Sequence, residues 1–335
     1  MKRKFNEDGI MHIYQRTISG YNVFYCLEDF IIFYTIVSVY AKKFGIKLLA
    51  MCLMIDHTHL LASCSSLETL SRFISAYTSM FVREFNLYTG RSGPLFKKAY
   101  GSAVKMEWKK IRSAIAYLFN NPVEKQLCTK AEDYTWNFLR LYCPEYTPVS
   151  TTMKRSRKLK RSMKMVKDNF NKGYYLKYTL LDYLYKDLSK HEKRILTQYI
   201  LEVYFPFDTE KVCNYYKSYE DMVIAINSNT GSEYEIKENH YGKTDVPYRE
   251  IISCLNNMNI ADCRSVLTMD TEMKVQLTGI LKQKTSASST QIRKFLGDQW
   301  DSCLTNRFLF PTGHAASFAF RCDHVTGLRS VKSDM

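Results

Sequence analysis

Two histidines, His57 and His59, follow a continuous apolar run at residues 46–54. The run is typical of a buried central strand, and the segment HTHLLASC after the Ile55-Asp56 turn predicts a second strand. Side chains at i and i+2 of a strand point to one face, so both imidazoles project together and Asp56 points the other way. Two neutral imidazoles so placed can bind one divalent metal ion. The alternative is two polar residues on the solvent face of a strand.

A tyrosine, Tyr117, stands apart from the apolar side of a predicted helix over Glu107–Asn121. At about 100° per residue, the apolar side chains of this helix fall on one stripe, which contains Trp108, Ile111, Ile115, Leu118 and Phe119. Tyr117 falls opposite that stripe, one turn from Ser113 and Asn121. The spacing therefore predicts a tyrosine presented to something polar, which is either a functional site or solvent.

A histidine pair and a polar-face tyrosine together predict phosphoryl transfer to a tyrosine nucleophile. A phenol, with a pKa of about 10, is a poor nucleophile at neutral pH unless a metal ion or a cationic neighbour favours the phenolate. The same metal can polarise the scissile phosphate and stabilise the charge that develops on its oxygens. Attack leaves a covalent phosphotyrosine that keeps the energy of the phosphodiester, so breaking and rejoining a strand needs no nucleotide cofactor.

The hydrophobic pattern also predicts the elements that position these residues. The predicted order is strand (10–16), helix (27–44), strand (46–54), strand (57–64), helix (67–88), strand (95–104) and helix (107–121). Gly45, Gly90 and Pro122 are placed to end the three helices. Two helices packed on one face of a mainly antiparallel sheet give the α+β fold class with a ferredoxin-like layout.

Four segments are predicted along the chain. Residues 1–149 form the first domain, 150–170 a basic linker or helical arm, 171–297 a mainly helical C-terminal region and 298–335 an unrecognised tail. Within the third segment, residues 272–297 are a candidate helix-turn-helix. Ser or Thr near 288–290 can cap a helix that presents Gln291 and Arg293 to a major groove.

Positive charge is concentrated in one part of the chain, which has a formal net charge of +15. Residues 88–167 carry 18 basic and 5 acidic side chains, whereas residues 168–335 carry 21 of each. Phosphates or an anionic membrane surface are the usual partners of such a field, and the alternative is a solvated basic face. The candidate phosphate-binding residues are Lys97, Lys98, Lys105, Lys109, Lys110, Arg155, Arg157, Lys158, Lys160 and Arg161.

Three aromatic residues beside these cations, Phe96, Tyr100 and Trp108, can stack on unpaired bases. Core packing is the favoured expectation for Phe96 and Trp108. The ten cysteines include no C-x-x-C pair, which supports neither a disulfide scaffold nor a thiolate zinc site. The longest apolar stretch, Phe30–Tyr40, is too short to span a bilayer, so we expect a soluble intracellular protein without a membrane partner.

Residues 9–140 resemble the HUH superfamily of single-tyrosine transposases, and most closely the REP-associated tyrosine transposases, of the IS200-like transposase family. The family motifs have the following counterparts in chain order: Met11-His12-Ile13 for its first strand, Phe24 with Glu28-Asp29 for an aromatic and an acidic pair, Met54-Ile55-Asp56-His57-Thr58-His59-Leu60-Leu61 for M-P-N-H-x-H-L-L, Gly93-Pro94-Leu95-Phe96 with Tyr100 for a G-x-L-F segment, Tyr117-Leu118-Phe119-Asn120-Asn121-Pro122 for Y-I-x-x-N-P, and Asp133-Tyr134-Thr135-Trp136 for D-Y-x-W-S-S. Several ordered motifs over this length make the resemblance specific.

The resemblance implies that His57 and His59 bind Mg²⁺ or Mn²⁺, that Asn121 supplies a third ligand and that Tyr117 is the nucleophile. Relatives cut single-stranded DNA beside a hairpin and become joined to its 5′ phosphate. Single-stranded or hairpin DNA is therefore the expected partner, and a homodimer is left open. A cytoplasmic, nucleoid-associated location is expected for such an activity.

Two departures from the family pattern keep other hypotheses open. Ile55-Asp56 replaces Pro-Asn before the histidines, and Ala99 replaces the basic residue often found before Tyr100. They favour a domesticated nucleic-acid-binding protein that has lost turnover as the second hypothesis. A rolling-circle replication initiator shares the chemistry but usually brings a helicase or a second catalytic tyrosine, and neither is apparent in the sequence.

Overall fold

The computed structural model describes residues 4–149, 155–228, 244–260 and 262–297. The predicted tail at 298–335 and residues 150–154 of the predicted basic linker lie outside the described residues. The described residues belong to one compact unit.

A four-stranded antiparallel sheet forms the centre of the N-terminal part. Its strands are β1 (Ile10–Arg16), β2 (Lys47–Leu53), β3 (His57–Ser63) and β4 (Gly101–Lys105), in the order β2-β3-β1-β4. Helix α1 (Leu27–Phe44) joins β1 to β2, and α2 (Leu67–Thr89) joins β3 to β4. This βαββαβ order with that strand order is the ferredoxin-like layout, so the predicted α+β fold class is confirmed.

The first two helices begin and end where the sequence indicates. At the start of α1, Asp29 Oδ2 accepts hydrogen bonds from the backbone N–H groups of Tyr25 and Cys26. The helix ends at Gly45, whose φ of +64° is a left-handed conformation that glycine adopts without a steric penalty. Helix α2 likewise begins at a Ser66 cap and ends at Gly90.

The two faces of the sheet are covered by different helices. Gln15 of β1 accepts hydrogen bonds from the side chains of Tyr77 and Thr78, so α2 lies on the face of Gln15. His12, an odd number of residues away, points to the opposite face. The ring of Tyr117, in helix α3 (Trp108–Glu124), lies 5.7 Å from the ring of His12. Helix α3 therefore covers the face opposite to α1 and α2.

Two element boundaries differ from the prediction. Pro122 does not end α3, which continues to Glu124, because the backbone N–H groups of Lys125 and Leu127 still donate to the carbonyls of Asn121 and Pro122. Strand β4 begins only at Gly101, where the ring of Tyr14 crosses the backbone so closely that a Cβ would lie 1.9 Å from a ring carbon. Only glycine allows this approach.

The C-terminal region is helical, as predicted. Its helices are α4 (Arg157–Asn171), α5 (Tyr178–Tyr185), α6 (Lys190–Val203), α7 (Thr209–Cys213), α8 (Tyr219–Asn227), α9 (Val246–Asn257), α10 (Thr271–Lys284) and α11 (Ser289–Leu296). Within the described ranges, no helix is both long enough and apolar enough to cross a bilayer.

These helices pack around both sides of the N-terminal part. The hydroxyl of Tyr34 in α1 donates to the carbonyl of Leu201 in α6, and α4 packs on α6 with Leu159 and Met163 buried. Helix α4 therefore lies outside the α1 layer. On the other side of the sheet, α8 packs against α3.

Candidate active site

Three histidines meet on the α3 face of the sheet. In the register of β1 and β3, Tyr14 lies opposite His59 and Arg16 lies opposite His57. His12 shares this face, and its Nε2 lies 3.1 Å from His59 Nδ1. The rings of His57 and His59 are 5.0 Å apart between centroids. The two predicted metal ligands therefore project together, as i and i+2 positions require.

Helix α3 brings the predicted tyrosine and asparagine to the same place. The ring of Tyr117 lies 5.4 Å from the ring of His59. Four residues later, Asn121 Nδ2 lies 3.3 Å from His59 Nε2. His57 and Tyr117 are 60 positions apart in the chain. The side chains that the sequence assigns to catalysis and metal binding nevertheless converge around His59.

The site is buried, whereas the alternative interpretations of the sequence place the histidines and the tyrosine in solvent. Tyr117 is 3 % exposed and His59 0 %, and His57 is also buried. Tyr117 does lie off the apolar stripe, but the polar surroundings it meets are the imidazoles of the sheet rather than water. Helix α3 is covered by the sheet on one side and by α8 on the other, so its buried residues include the whole segment 114–122.

Strand alternation predicts that Asp56 points away from the histidines, and this prediction is wrong. It precedes β3 in the turn, where alternation does not apply, and its Oδ1 lies 2.6 Å from His57 Nδ1. Its Oδ2 lies 3.5 Å from Lys294 Nζ of α11. Burial alone would raise the pKa of Asp56, but the hydrogen bond and charge of His57, with Lys294 and Lys125, lower it to about 2.

These contacts determine which ring nitrogens carry lone pairs. The Asp56 carboxylate accepts a hydrogen bond from His57 Nδ1–H, so the neutral His57 ring, the form that can bind a metal ion, has its lone pair on Nε2. Burial, with the charges of His57 and Arg16, lowers the pKa of His59 well below its usual range, so this ring is neutral. Asn121 Nδ2–H donates to His59 Nε2, so the proton of His59 is on Nδ1 and faces His12.

The donor set fits a divalent metal ion. Metal-binding histidines typically bind the ion through one ring nitrogen while the other nitrogen donates a hydrogen bond. His57 and His59 have this arrangement, with both Nε2 atoms on one face and a hydrogen-bonding partner next to each Nδ1. Asn121 Oδ1 is buried and has no hydrogen-bond partner among the described residues, and rotation of the amide exchanges it with Nδ2. The described residues include no group of three or more His, Cys, Asp or Glu side chains placed to hold a metal, so the third protein ligand of such an ion would be the Asn121 amide.

The candidate phosphate-binding residues fall on two surfaces. Lys97 and Lys98 precede β4, Lys109 and Lys110 lie at the start of α3, and all four are exposed. The exposed cations of α4, which are Arg157, Lys158, Lys160 and Arg161, lie beyond α1 and α6, on the far side of the sheet from Tyr117. Arg155 is half-buried and donates to the carbonyl of Val149.

One candidate cation is not at the surface. Lys105 is 4 % exposed at the end of β4, because its strand neighbours and α3 enclose it. Because its side chain is buried, Lys105 is not part of an exposed surface that could bind phosphates.

Three further expectations can be compared with the structure. Phe96 is buried, as expected. The expectation for Trp108 is wrong: it is 57 % exposed, because it is the first residue of α3, before the buried segment of that helix begins. Ser288 does cap α11, but Gln291 is buried, donates to the carbonyl of Thr244 and completes the capping box, so it does not face a groove.

Sequence reasoning missed two residues of this site, His12 and Arg16. In the sequence, His12 stands out only as part of a family motif, and Arg16 belongs to no motif. Both follow from the β1–β3 register, which places Arg16 opposite His57 and His12 on the same face. Alternation along β1 puts these residues on one face, but the pairing partner of each cannot be read from a single strand.

The fold and the site together define a class of protein: a ferredoxin-like sheet presents an H-x-H pair to a tyrosine on the helix that crosses it. Residues 10–120 match the model of a family described as "Transposase IS200 like". The match covers about a third of the chain and agrees with the family that the motifs resemble.

A solved structure described as "Structure of the REP associates tyrosine transposase bound to a REP hairpin" is 13 % identical, with a TM-score of 0.36, over 47 % of this chain and 92 % of that one. A comparison with curated proteins finds no match.

Proposed function

We infer that this protein is a metal-dependent enzyme that nicks and rejoins single-stranded DNA through a phosphotyrosine at Tyr117. The observation that carries the proposal is the position of Tyr117 on α3, with its ring 5.4 Å from His59 and 5.7 Å from His12. The family of residues 10–120 supports the same chemistry. The proposed substrate is a single strand beside a hairpin.

The residues that would hold Mg²⁺ or Mn²⁺ are His57, His59 and Asn121. When bound, the ion supplies positive charge that polarises the scissile phosphate. Asp56 and His12 orient the two rings through Nδ1, so that each Nε2 remains a ligand atom. The neutral state of His59 serves this role, since a protonated imidazole cannot bind a metal ion.

In the proposed reaction, Tyr117 Oη attacks the phosphorus and forms a P–O bond. The bond from phosphorus to the 3′ oxygen of the preceding nucleotide breaks, and that oxygen leaves as a 3′-hydroxyl after taking up a proton. The phenol loses one proton in the same reaction. The 5′ phosphate remains on Tyr117, and attack by a 3′-hydroxyl reverses these bond changes and rejoins a strand.

Arg16 is proposed to bind the phosphate that Tyr117 attacks. It lies opposite His57 in the β1–β3 ladder, and directly opposite side chains have Cβ atoms about 5 Å apart. The charge of Arg16 acts on His59, and a guanidinium near the imidazoles can stabilise negative charge on a phosphate oxygen. The exposed lysines of the α3 surface, Lys109 and Lys110, would hold neighbouring phosphates.

The buried hydroxyl of Tyr117 favours a second candidate function. In this conformation no phosphate reaches it, so the enzyme must move α3 away from the sheet or α8 away from α3. A protein that cannot make this movement would bind nucleic acid without turnover. Both candidates predict binding that weakens steeply with salt, and only the first predicts a covalent product.

The test is an adduct assay with a pool of hairpin-bearing single strands. With Mg²⁺ or Mn²⁺, the full chain should form a DNA adduct that survives denaturing electrophoresis. Tyr117→Phe should form none, whereas Tyr100→Phe, which changes another tyrosine hydroxyl in the same domain, should still form it. Salt-sensitive binding without any adduct would support the second candidate, and an adduct on Tyr117→Phe would exclude Tyr117 as the nucleophile.

A further inference from the structure

An open pocket lies at the start of α3, away from the histidines. Its volume is about 310 Å³, and it is lined by Trp108, Asp208, Glu210, Lys211, Asn214 and Tyr215. Trp108 lies nine residues before Tyr117, which is about 14 Å along an α-helix. The pocket is therefore separate from the nucleophile but is carried on the same helix.

The aromatic walls of this pocket are held in place by the C-terminal region. The rings of Trp108 and Tyr215 meet edge to face, 4.8 Å apart. The hydroxyl of Tyr216 donates to the carbonyl of Arg112 in α3, and Lys211 Nζ donates to Ser63 Oγ at the end of β3. These bonds join α7 to β3 and the segment after α7 to α3, and Trp108 beside them is 57 % exposed.

The polar lining suits a base better than a phosphate. Glu210 is exposed and Asp208 accepts from the backbone N–H of Lys211, so two carboxylates and one ammonium give the pocket a net negative charge. Carboxylates repel phosphates but accept hydrogen bonds from the amino groups of bases. The amide of Asn214 can both donate to and accept from a base edge. Two further cations, Lys109 and Lys110, are exposed and are not part of the pocket lining.

We propose that this pocket binds one unpaired nucleobase of the DNA strand that Tyr117 cuts, stacked on Trp108. The inference rests on the proposed function for its DNA partner. An exposed tryptophan beside a second aromatic ring is the usual platform for an unpaired base. A few nucleotides of single strand would connect the pocket to the phosphate at Tyr117.

Binding of a single strand of about twelve nucleotides to the full chain, measured by fluorescence anisotropy without metal, tests the proposal. Trp108→Leu should weaken binding about tenfold, the loss expected for one base–aromatic stack, whereas Trp108→Phe should weaken it much less. The control is Tyr174→Leu, an aromatic residue 60 % exposed elsewhere on the surface. A strand of abasic nucleotides should bind equally to Trp108→Leu and to the unchanged chain.

A second measurement maps contact directly. A strand with photoreactive bromodeoxyuridine should crosslink to the peptides that contain Trp108 or Tyr215. Unchanged affinity of Trp108→Leu, equal loss in Tyr174→Leu, crosslinks only elsewhere, or tighter binding of the matching RNA would each overturn the proposal. None of these readouts uses cleavage, so a failed adduct assay leaves them interpretable, and their failure leaves adduct formation at Tyr117 intact.

Discussion

Removal of the Asp56 carboxylate should weaken metal binding. Asp56 Oδ1 lies 2.6 Å from His57 Nδ1, and its side chain is 27 % exposed. A pKa lowered from the ordinary 3.8 to about 2 means that its surroundings favour the ionised carboxylate by roughly 2 kcal/mol. A hydrogen bond to a charged group contributes about 1.5–3 kcal/mol, which agrees. Losing it should therefore lower metal affinity by about 10- to 100-fold.

The assay is calorimetric titration of the full chain with Mn²⁺. Asp56→Ala should show the full loss and Asp56→Asn part of it, since the amide oxygen still accepts from His57 Nδ1–H. Lys294→Met should lower Mn²⁺ affinity less than Asp56→Ala does, because Lys294 acts only through the Asp56 carboxylate. Asp168→Ala is the control, since Asp168 forms a surface ion pair on α4. Unchanged affinity of Asp56→Ala would refute the assignment of the His57 tautomer.

The other predictions concern the site and the sheet. His12→Leu should lower Mn²⁺ affinity about 10-fold, because His59 Nδ1 loses its partner. Burial and the charge of Asp56 raise the pKa of Asp245 to about 6, despite the nearby cations. The stability that the protonated Asp245 carboxyl contributes is present below pH ~4 and is lost as the pH rises through ~6. Asp245→Asn should therefore be more stable than the unchanged chain at pH ~8, by up to about 3 kcal/mol in urea unfolding. Gly101→Ala should lower the free energy of unfolding by about 1–3 kcal/mol, because the added Cβ would overlap the Tyr14 ring.

Matched controls and contrary results are available for each. An exposed histidine, His191, gives the control His191→Leu, which should leave metal affinity unchanged. For Asp245→Asn, an advantage as large at pH ~4 as at pH ~8 would contradict ionisation as the cause. Gly279→Ala, in the interior of α10 with no atom within 4 Å of its Cβ, should be neutral or stabilising, and a Gly101→Ala protein of equal stability would refute the overlap.

Much of the fold could be predicted because its signals are local. The apolar run of β2, the helix-ending glycines Gly45 and Gly90, and the order of strands and helices are all written in consecutive residues. The spacing of His57 and His59 likewise fixes their common face. The lengths of β4 and α3 could not be predicted, since the first depends on where the Tyr14 ring crosses the sheet and the second on a proline tolerated in a last turn.

The surroundings of the site depend on contacts between distant segments. His12 joins His59 through a strand register, and Tyr117 is buried because α8, about a hundred residues later, covers its helix. Trp108 lies on the apolar stripe by periodicity, yet it is exposed at the start of its helix. Lys294 reaches Asp56 from the other end of the described chain. None of these contacts leaves a pattern within its own segment.

Identification of the residue joined to DNA tests the central claim most directly. After reaction with a hairpin-bearing strand and Mn²⁺, nuclease and trypsin digestion should leave a nucleotide on the peptide Ser113–Lys125, whose one tyrosine is Tyr117. Mass spectrometry is expected to find the added mass on that side chain, and only when metal was present. An adduct mapped to any other residue, or a cleaved strand with no protein adduct, would contradict the account.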